Sequence, residues 1–382
     1  MNRHVKLGRI AGISVGLHYS WFIIALLIVL SLTQHFRAVA PHWSGGVTWT
    51  AAVGTGALFF ATLLMHELAH SLVAKARGLR VRAITLFALG GVSEIESESK
   101  DAKSGFWIAI VGPITSILVG VILLGIARLI GWLPGSEPVT PAISVLVWLG
   151  YINLGLAAFN MVPGYPLDGG RVLRAVIWWV TGSAEKSTRL ASSVGQIVAF
   201  LLILSGLFRF FVGASFGGLW LAFVGWFLLD ASRAGYLQGK ITAGLEGRRV
   251  VEIMDRDYPV VAGHLSLQDF INEYVLRTGR HCFFVAQGDR VVGLITPHEI
   301  KAVERGDWPQ TSVQSAMRPL GELRTVAPDT LATEALKLMG REDINQLPVI
   351  SDGHLEGIFS RSNVLRFLQT HAEFNNGNMR RD

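Results

Sequence analysis

The stretch WTAAVGTGALFFATLLMHELAHSLVA, residues 49–74, is apolar along most of its length and carries a short ionisable motif near its end. It is longer than the about 20 residues that an α-helix needs to cross a bilayer. His66 and His70 are four positions apart, so on a helix they lie on one face, about 6 Å apart along the axis, with Glu67 beside them. This spacing suits two ligands of one metal ion, and ionisable side chains inside a membrane span are usually functional. A polar trio packed between helices is the alternative.

Charged residues are distributed unevenly along the 382-residue chain. They make up 27 of the first 240 residues and 35 of the last 142, whereas a soluble domain usually has about 25%. The distribution predicts a membrane-embedded domain at 1–240 followed by a soluble part. It excludes a single soluble globular enzyme, and Cys282, the one cysteine, excludes a disulfide scaffold.

Six apolar runs predict transmembrane helices, at roughly 18–34, 49–74, 105–127, 142–162, 188–212 and 217–235. Fifteen Lys and Arg lie in the connections on one side of these spans and three on the other. Because positively charged connections stay in the cytoplasm, both termini are expected there. Residues 5–17 are expected to contain a short strand, and 171–181 a helix lying partly in the membrane.

A catalytic zinc site takes a third protein ligand and keeps one position open for water. Seven of the nine acidic residues before residue 240 fall in predicted loops or at helix ends, Asp230 among them. Asp168 differs, because it follows the segment NMVPGYPL (160–167), in which Pro163 and Pro166 prevent a regular helix. Irregular backbone at membrane depth is tolerated where it lines protein or a wet cavity. Asp168 is therefore a candidate metal ligand, with a helix cap at the membrane surface as the alternative.

The soluble part contains an internal repeat. VVGLIT (291–296) matches LEGIFS (355–360) at an offset of 64, and Met254 matches Met317 at an offset of 63. Each unit is expected to run helix, strand, strand, helix. The two units resemble a tandem pair of α/β CBS domains at 248–370. A linker is expected at 241–247, and the tail, 371–382, is expected to be disordered.

The membrane half resembles the site-2 protease family of intramembrane zinc metalloproteases. The resemblance rests on two paired motifs, His66-Glu67-x-x-His70 and Asn160…Pro163…Pro166-Leu167-Asp168-Gly169-Gly170. Three further segments agree: LGRIAGI (7–13) leading to HYSW (18–21), LFALGGV (86–92), which is similar to the family's membrane-dipping hairpin, and Gly112-Pro113, which opens the third span. The CBS pair, with no room for a PDZ domain between spans, implies the prokaryotic CBS-bearing subgroup.

This resemblance implies a polytopic α-helical membrane protein with about six transmembrane helices, short strands and a re-entrant hairpin, in the cell membrane of a prokaryote. One catalytic Zn²⁺ would be bound by His66, His70 and Asp168, with Glu67 as general base and later proton donor. Asn160 would position the substrate or its oxyanion, or else form an interhelical hydrogen bond. The hairpin would offer an edge strand to an unwound substrate, or be a plain connector; its residues are Leu86, Phe87, Gly90 and Gly91.

The implied substrate is a single-span membrane protein or a membrane-tethered precursor, such as that of a transcription factor or an anti-sigma factor. The lipid bilayer is the other partner, and no direct nucleic-acid binding is expected. The CBS pair could bind ATP or AMP near Thr296 and Ser360, although Glu299 and Asn363 replace the acid that holds the ribose; alternatively it docks substrate or forms a homo-oligomer. A CBS-gated channel or transporter and a catalytically silent membrane scaffold are the remaining alternatives.

Overall fold

The computed structural model describes residues 4–95, 99, 101–137, 140–213, 216–288 and 290–378. The chain divides into two compact units, residues 1–239 and 240–382. The boundary lies close to residue 240, where the charge content of the sequence changes.

Long helices dominate the first unit. Its described helices are α1 (Tyr19–Val39), α2 (Gly45–Ala76), α3 (Ala102–Leu129), α4 (Pro141–Asn160), α5 (Asp168–Thr181), α6 (Ala184–Gly213) and α7 (Phe216–Gly244). Several begin where a side chain accepts a hydrogen bond from the first turn: Ser44 caps α2, Asp101 caps α3 and Thr140 caps α4. Five of the described helices, α1, α2, α3, α4 and α6, are long and apolar enough to cross a membrane.

The predicted sixth span, 217–235, lies within α7, which is 29 residues long but is not among those five. Charged residues in its second half, Asp230, Arg233 and Lys240, reduce its apolar character. Asp230 was expected at a helix end and instead lies, exposed, in the interior of α7. The short helix predicted at 171–181 is present as α5, and it begins three residues earlier, at Asp168.

A four-stranded sheet accompanies these helices. Its strands are β1 (His4–Ile10), β2 (Ile13–His18), β3 (Val81–Phe87) and β4 (Gly90–Ile95), in the order β1-β2-β3-β4. The segment 5–17 thus forms two antiparallel strands around a turn at Ala11-Gly12, rather than one strand. β2 pairs in parallel with β3, and β3 forms an antiparallel hairpin with β4. Leu17, Phe60, Leu63 and Leu86 form a buried cluster that fastens β2 and β3 to α2.

The second unit contains the two predicted repeats. The first has β5 (Val260–Ala262), α8 (Leu267–Phe270), α9 (Leu276–Thr278), β6 (Phe283–Gln287), β7 (Arg290–Ile295) and α10 (Pro297–Lys301). After α11 (Val313–Ala316) and β8 (Arg318–Pro319), the second has α12 (Ala332–Glu342), β9 (Gln346–Ser351), β10 (His354–Ser360) and α13 (Arg361–Asn378). The sheets have the orders β5-β6-β7-β8 and β10-β9.

The segment that precedes each repeat packs against the other repeat. The Met254 sulfur lies against Gly357 of the second repeat, whereas Met317, which precedes the second repeat, lies against Gly293 of the first. Met254 and Val250 belong to the core of the second repeat, together with Phe359. Equivalent positions at the predicted offsets therefore make equivalent contacts, and each repeat completes the core of the other.

Two predicted boundaries differ from the structure. α7 continues to Gly244, so the linker expected at 241–247 is helical over its first residues. α13 continues to Asn378, so residues 371–378 of the tail that was expected to be disordered are helical. Residues 379–382 lie outside the described part of the chain. The helical pattern of α13 was missed because the Asn-rich composition of the tail gives no apolar periodicity.

Candidate metallopeptidase site

His66 and His70 lie one turn apart in α2 and are 2% and 4% exposed. Asp168, the first residue of α5, is 7% exposed and brings one carboxylate oxygen to both rings. Its Oδ2 lies 3.2 Å from Nε2 of His66 and 3.2 Å from Nε2 of His70. The two Nε2 atoms are also 3.2 Å apart. The two motifs predicted to hold a metal therefore meet as a buried triangle of ligand atoms.

The other ring nitrogen of each histidine is bound by α3. Nδ1 of His70 lies 2.6 Å from the carbonyl oxygen of Ile108, and Nδ1 of His66 lies 2.9 Å from Oγ of Ser116. A carbonyl can only accept, so Nδ1 of His70 carries a proton, and Nε2 is the ring nitrogen left to offer a lone pair to a metal. Ser116 can accept from His66 in the same way. Such outer partners fix the ring orientation and the tautomer of metal-binding histidines.

The triangle fits a zinc ion. Tetrahedral zinc with bonds of about 2.0–2.1 Å holds its ligand atoms about 3.3–3.4 Å apart, close to the 3.2 Å separations of this site. Two nitrogen lone pairs and a carboxylate at such distances repel one another unless a cation or a shared proton lies between them. The donor set of two imidazoles and one carboxylate also leaves a fourth position for water, as catalytic zinc requires.

The loop 161–167 delivers Asp168, and two glycines make this possible. A Cβ atom at Gly169 would lie 2.4 Å from the Met161 carbonyl oxygen, and one at Gly170 would lie 2.2 Å from the Gly164 and Tyr165 backbone. α5 thus begins in direct contact with the loop that precedes it. The Tyr165 N–H donates to the carbonyl oxygen of Ala191 in α6, at 3.3 Å, and this bond fastens the loop.

Gly112 allows α3 to pack against the ligand atoms. A Cβ atom there would lie 2.1 Å from Nε2 of His70 and 2.7 Å from Nε2 of His66. The sequence motif Gly112-Pro113 was expected to open the third span, but α3 begins ten residues earlier, at Ala102. Pro113 is tolerated in the helix interior, where it removes one backbone donor. Gly112 is therefore a packing position of the site, not a helix start.

Glu67 is half-buried beside the triangle, where it contacts the β3–β4 hairpin. Ser93 donates a hydrogen bond from Oγ to Oε2 of Glu67, at 3.1 Å, and Ser71 donates to Oγ of Ser93, also at 3.1 Å. A Cβ atom at Gly91 would lie 2.5 Å from Cγ of Glu67. The carboxylate of Glu67 is not one of the three groups that form the triangle, so it is available for proton transfer.

The predicted hairpin residues divide into a buried and a more accessible group. Leu86 is buried in the cluster that fastens β3 to α2, whereas Phe87, Gly90 and Gly91 are partly buried. Phe87 pairs with Gly90 and Leu86 with Gly91, at the tip of the hairpin. β4 lies at one end of the four-stranded sheet, so its outer edge is unpaired within the described residues.

Asn160 is the last residue of α4 and is partly buried, eight positions before Asp168. Its role toward substrate stays a prediction. Asn153 was not predicted from the sequence; it is 1% exposed and donates from Nδ2 to the Leu149 carbonyl oxygen and to Oγ1 of Thr62. The bond from Asn153 to Thr62 links α4 to α2, one turn before His66. A polar residue inside an apolar run is the signal that could have found Asn153.

Thr296 and Ser360 occupy equivalent places in the two repeats, where a strand ends and a helix begins. Oγ1 of Thr296 accepts from the His298 N–H, and Oγ of Ser360 accepts from the Asn363 N–H. The carboxylate of Glu299 accepts from the N–H and hydroxyl of Thr296. Both hydroxyls therefore serve as helix caps in this structure, and nucleotide contact by them stays a prediction.

These features define a class of protein. A buried site of two histidines and one aspartate, with a glutamate beside it in an HExxH motif, lies among helices long enough to span a membrane. This combination is that of a multi-pass membrane metallopeptidase, here followed by a tandem repeat domain.

Comparison with known proteins agrees with that class. The profile of Peptidase family M50 matches residues 55–134 and 130–204, and the CBS domain profile matches 250–305 and 313–370. A candidate zinc metalloprotease of Synechocystis sp. is 34% identical over 375 residues, 97% of each chain. Rip3, a candidate zinc metalloprotease of Mycobacterium tuberculosis, is 33% identical over 373 residues, 97% of this chain and 94% of its own. The solved site-2 protease from Methanocaldococcus jannaschii is 26% identical, with a TM-score of 0.41 over 61% of this chain and 95% of that one.

The chain therefore belongs to peptidase family M50, the site-2 proteases, and is a zinc metalloprotease with a CBS pair. This assignment excludes a CBS-gated channel or transporter. The buried group of His66, His70 and Asp168 is the part of the chain that suits zinc.

Proposed function

We propose that this protease hydrolyses peptide bonds within or near the transmembrane segment of single-span, membrane-anchored proteins. The observation that carries the proposal is the buried 3.2 Å triangle of His66, His70 and Asp168, in which the two histidines, with Glu67 beside them, lie on a helix of membrane-spanning length. A transcription-factor precursor or an anti-sigma factor tethered by one helix is the substrate class that we favour.

In the proposed mechanism, His66, His70 and Asp168 hold the zinc ion. When bound, zinc acidifies water and polarises the scissile carbonyl. Glu67 accepts a proton from the attacking water while the oxygen of that water forms a bond to the carbonyl carbon. Glu67 then gives that proton to the amide nitrogen as the C–N bond breaks, so the products are a carboxylic acid and an amine. Asn160 is proposed to position the substrate or its oxyanion.

The β3–β4 hairpin is proposed to bind the substrate as an added strand. A peptide bond inside a helix is shielded by its own hydrogen bonds, so the substrate must unwind before water can reach it. The unpaired outer edge of β4 offers backbone hydrogen-bonding groups to such an extended segment. Because Gly91 of β4 contacts Glu67, a substrate strand at this edge would lie close to the proposed base.

We propose that the protein lies in the cell membrane of a prokaryote with both termini in the cytoplasm. The support is the distribution of Lys and Arg, fifteen against three. α2 ends at Ala76, and Lys75 and Arg77 stand at that end. His70 is six residues, about 9 Å, from Ala76. The site is therefore proposed to lie toward the cytoplasmic side.

The CBS pair is proposed to regulate the protease, to dock substrate or to join copies of the chain, with ATP or AMP as candidate ligands near Thr296 and Ser360. Calorimetric titration of the full chain with each nucleotide tests the ligand. Heat that is lost in a double Thr296→Val, Ser360→Ala variant supports binding at these residues. No heat at millimolar nucleotide contradicts it.

The protease proposal is tested with purified full-length protein and synthetic peptides that contain one apolar span with basic flanks. The wild type should cleave the peptide in micelles, a strong chelator should stop cleavage and added zinc should restore it. Asp168→Ala should remain inactive after zinc addition. Cleavage that resists the chelator contradicts the proposal. So does protein with stoichiometric zinc that cleaves none of a set of such peptides, the behaviour expected of a silent scaffold.

A further inference from the structure

Strand β4 lies lengthwise along α2, in register with one stripe of that helix. Gly91 contacts Glu67, Ser93 binds Glu67 and Ser71, and Ile95 packs against the cluster that contains Ala74. On α2, positions 67, 71 and 74 form a single stripe; on β4, positions 91, 93 and 95 form a single face. The alternating burial of β4 agrees, because Val92 and Glu94 are exposed.

Within this contact, Ser93 controls one oxygen of the Glu67 carboxylate. A serine hydroxyl has one proton to donate and two lone pairs. Ser71, which is fully buried, donates to Oγ of Ser93 at 3.1 Å, and Ser93 donates its proton to Oε2 of Glu67 at 3.1 Å. Two hydroxyls thus form a directed chain that ends on Oε2 and leaves Oε1 outside it.

We propose that Ser93 is a positioning residue for Glu67, and that Ser71 orients Ser93. The inference rests on the proposed role of Glu67 as the general base. A glutamate side chain has three rotatable bonds, so a carboxylate without a partner samples several orientations. Gly91 limits the volume open to Cγ and Cδ, and the Ser93 hydroxyl fixes Oε2. Oε1 then remains as the oxygen that takes the proton of the attacking water.

The β3–β4 hairpin would then have a second role besides offering an edge to substrate. β4 carries Ser93 on the face toward α2, whereas its unpaired edge lies in the plane of the sheet. β4 therefore contacts the proposed base, Glu67, and would also pair with the substrate peptide on which Glu67 acts. A proton transfer that depends on placement loses rate steeply when its groups move by about 1 Å.

A matched set of Ser93 variants tests the hydroxyl separately from the size of the side chain. Ser93→Ala removes the hydroxyl; Ser93→Thr and Ser93→Val have nearly the same shape, but Thr alone keeps a hydroxyl. Glu94→Gln, on the exposed face of the same strand, is the control. Kinetics are measured with the single-span peptide that the wild type cleaves fastest, together with zinc content. We expect Ser93→Ala to lower kcat about 10- to 100-fold, with KM and zinc stoichiometry unchanged.

A merely structural role would not produce the expected pattern. Thr should retain at least tenfold more kcat than Val, and Ser71→Ala should lower kcat less than Ser93→Ala. In metal-free protein, the infrared carboxylate band of Glu67, identified by subtraction of the Glu67→Gln spectrum, should shift in Ser93→Ala and keep its position in Glu94→Gln. Wild-type kcat in Ser93→Ala, or equal kcat in the Thr and Val variants, overturns the positioning role. If instead Glu67→Gln itself retains wild-type cleavage, the proposed base is wrong, so the two failures are distinguishable.

Discussion

Gly112 of α3 lies so close to His70 of α2 that a methyl group on Gly112 would come within 2.1 Å of the ring nitrogen Nε2. The same methyl group would be 2.7 Å from Nε2 of His66. α3 therefore forms one wall of the candidate zinc site as well as supplying the outer partners of both histidines, Ile108 and Ser116.

Gly112→Ala should consequently prevent tight zinc binding. Neither Nε2 atom can move away from the added methyl group without leaving its position in the triangle of ligand atoms. We expect the purified variant to contain less than about a tenth of the wild-type zinc, measured by atomic emission, and to lack activity. Gly125→Ala in the same helix is the control, because a Cβ atom there meets open space. It should keep its zinc and gain up to about 1 kcal/mol of stability from the better helix propensity of alanine. Full zinc occupancy in Gly112→Ala would contradict the packing.

Glu67→Gln should separate binding from chemistry. Glutamine has the shape of glutamate but cannot accept a proton, and Glu67 is not one of the three residues that form the candidate metal site. We expect zinc content to stay at the wild-type level and cleavage to fall by about 10²- to 10⁴-fold, the usual contribution of a general base. Asp168→Ala is the opposite case, since it removes a ligand and should lose zinc first. Equal zinc loss in both variants would show that Glu67 is itself a ligand.

The candidate metal ligands could be predicted from sequence because each of their motifs is local, and the repeats because matching segments recur along the chain. His66 and His70 are one helical turn apart, and the two prolines and two glycines around Asp168 predict an irregular loop. The residues that complete the site could not be predicted in this way. Ser116 lies 50 positions from His66, and Ser93 lies 26 from Glu67, so only the packing of α3 and β4 on α2 brings them into contact. No spacing rule fixes such contacts between separate elements.

Ser116→Ala should weaken zinc binding without abolishing it. The hydroxyl of Ser116 holds Nδ1 of His66 at 2.9 Å, and loss of such a partner usually costs about 10- to 100-fold in metal affinity. Competition with a chromogenic chelator measures the change. Ser144→Ala is the matched control: this buried serine lies in a membrane helix, and its Oγ has no hydrogen-bond partner among the described residues. If both variants bind zinc equally well, Ser116 does not orient the ring.

Cys282 of the CBS pair should be almost inert toward thiol reagents in the folded protein. Burial, and secondarily the negative charge of Glu299, raise the pKa of this thiol from its ordinary value near 9.0 to about 12. Because the thiolate is the reactive form, alkylation by N-ethylmaleimide at pH 8, followed by mass spectrometry, should be about a thousandfold slower in native than in guanidinium-unfolded protein. Glu299→Gln should speed the native reaction modestly, since burial remains, whereas Glu273→Gln should not.

The raised pKa of Cys282 also predicts a dependence of stability on pH. Between about pH 9 and 12 the thiol keeps its proton in the folded protein and loses it in the unfolded chain, so the free energy of unfolding should fall as the pH rises through this range. Cys282→Ala should lose that part of the alkaline sensitivity, and unchanged sensitivity in this variant would assign it to other groups.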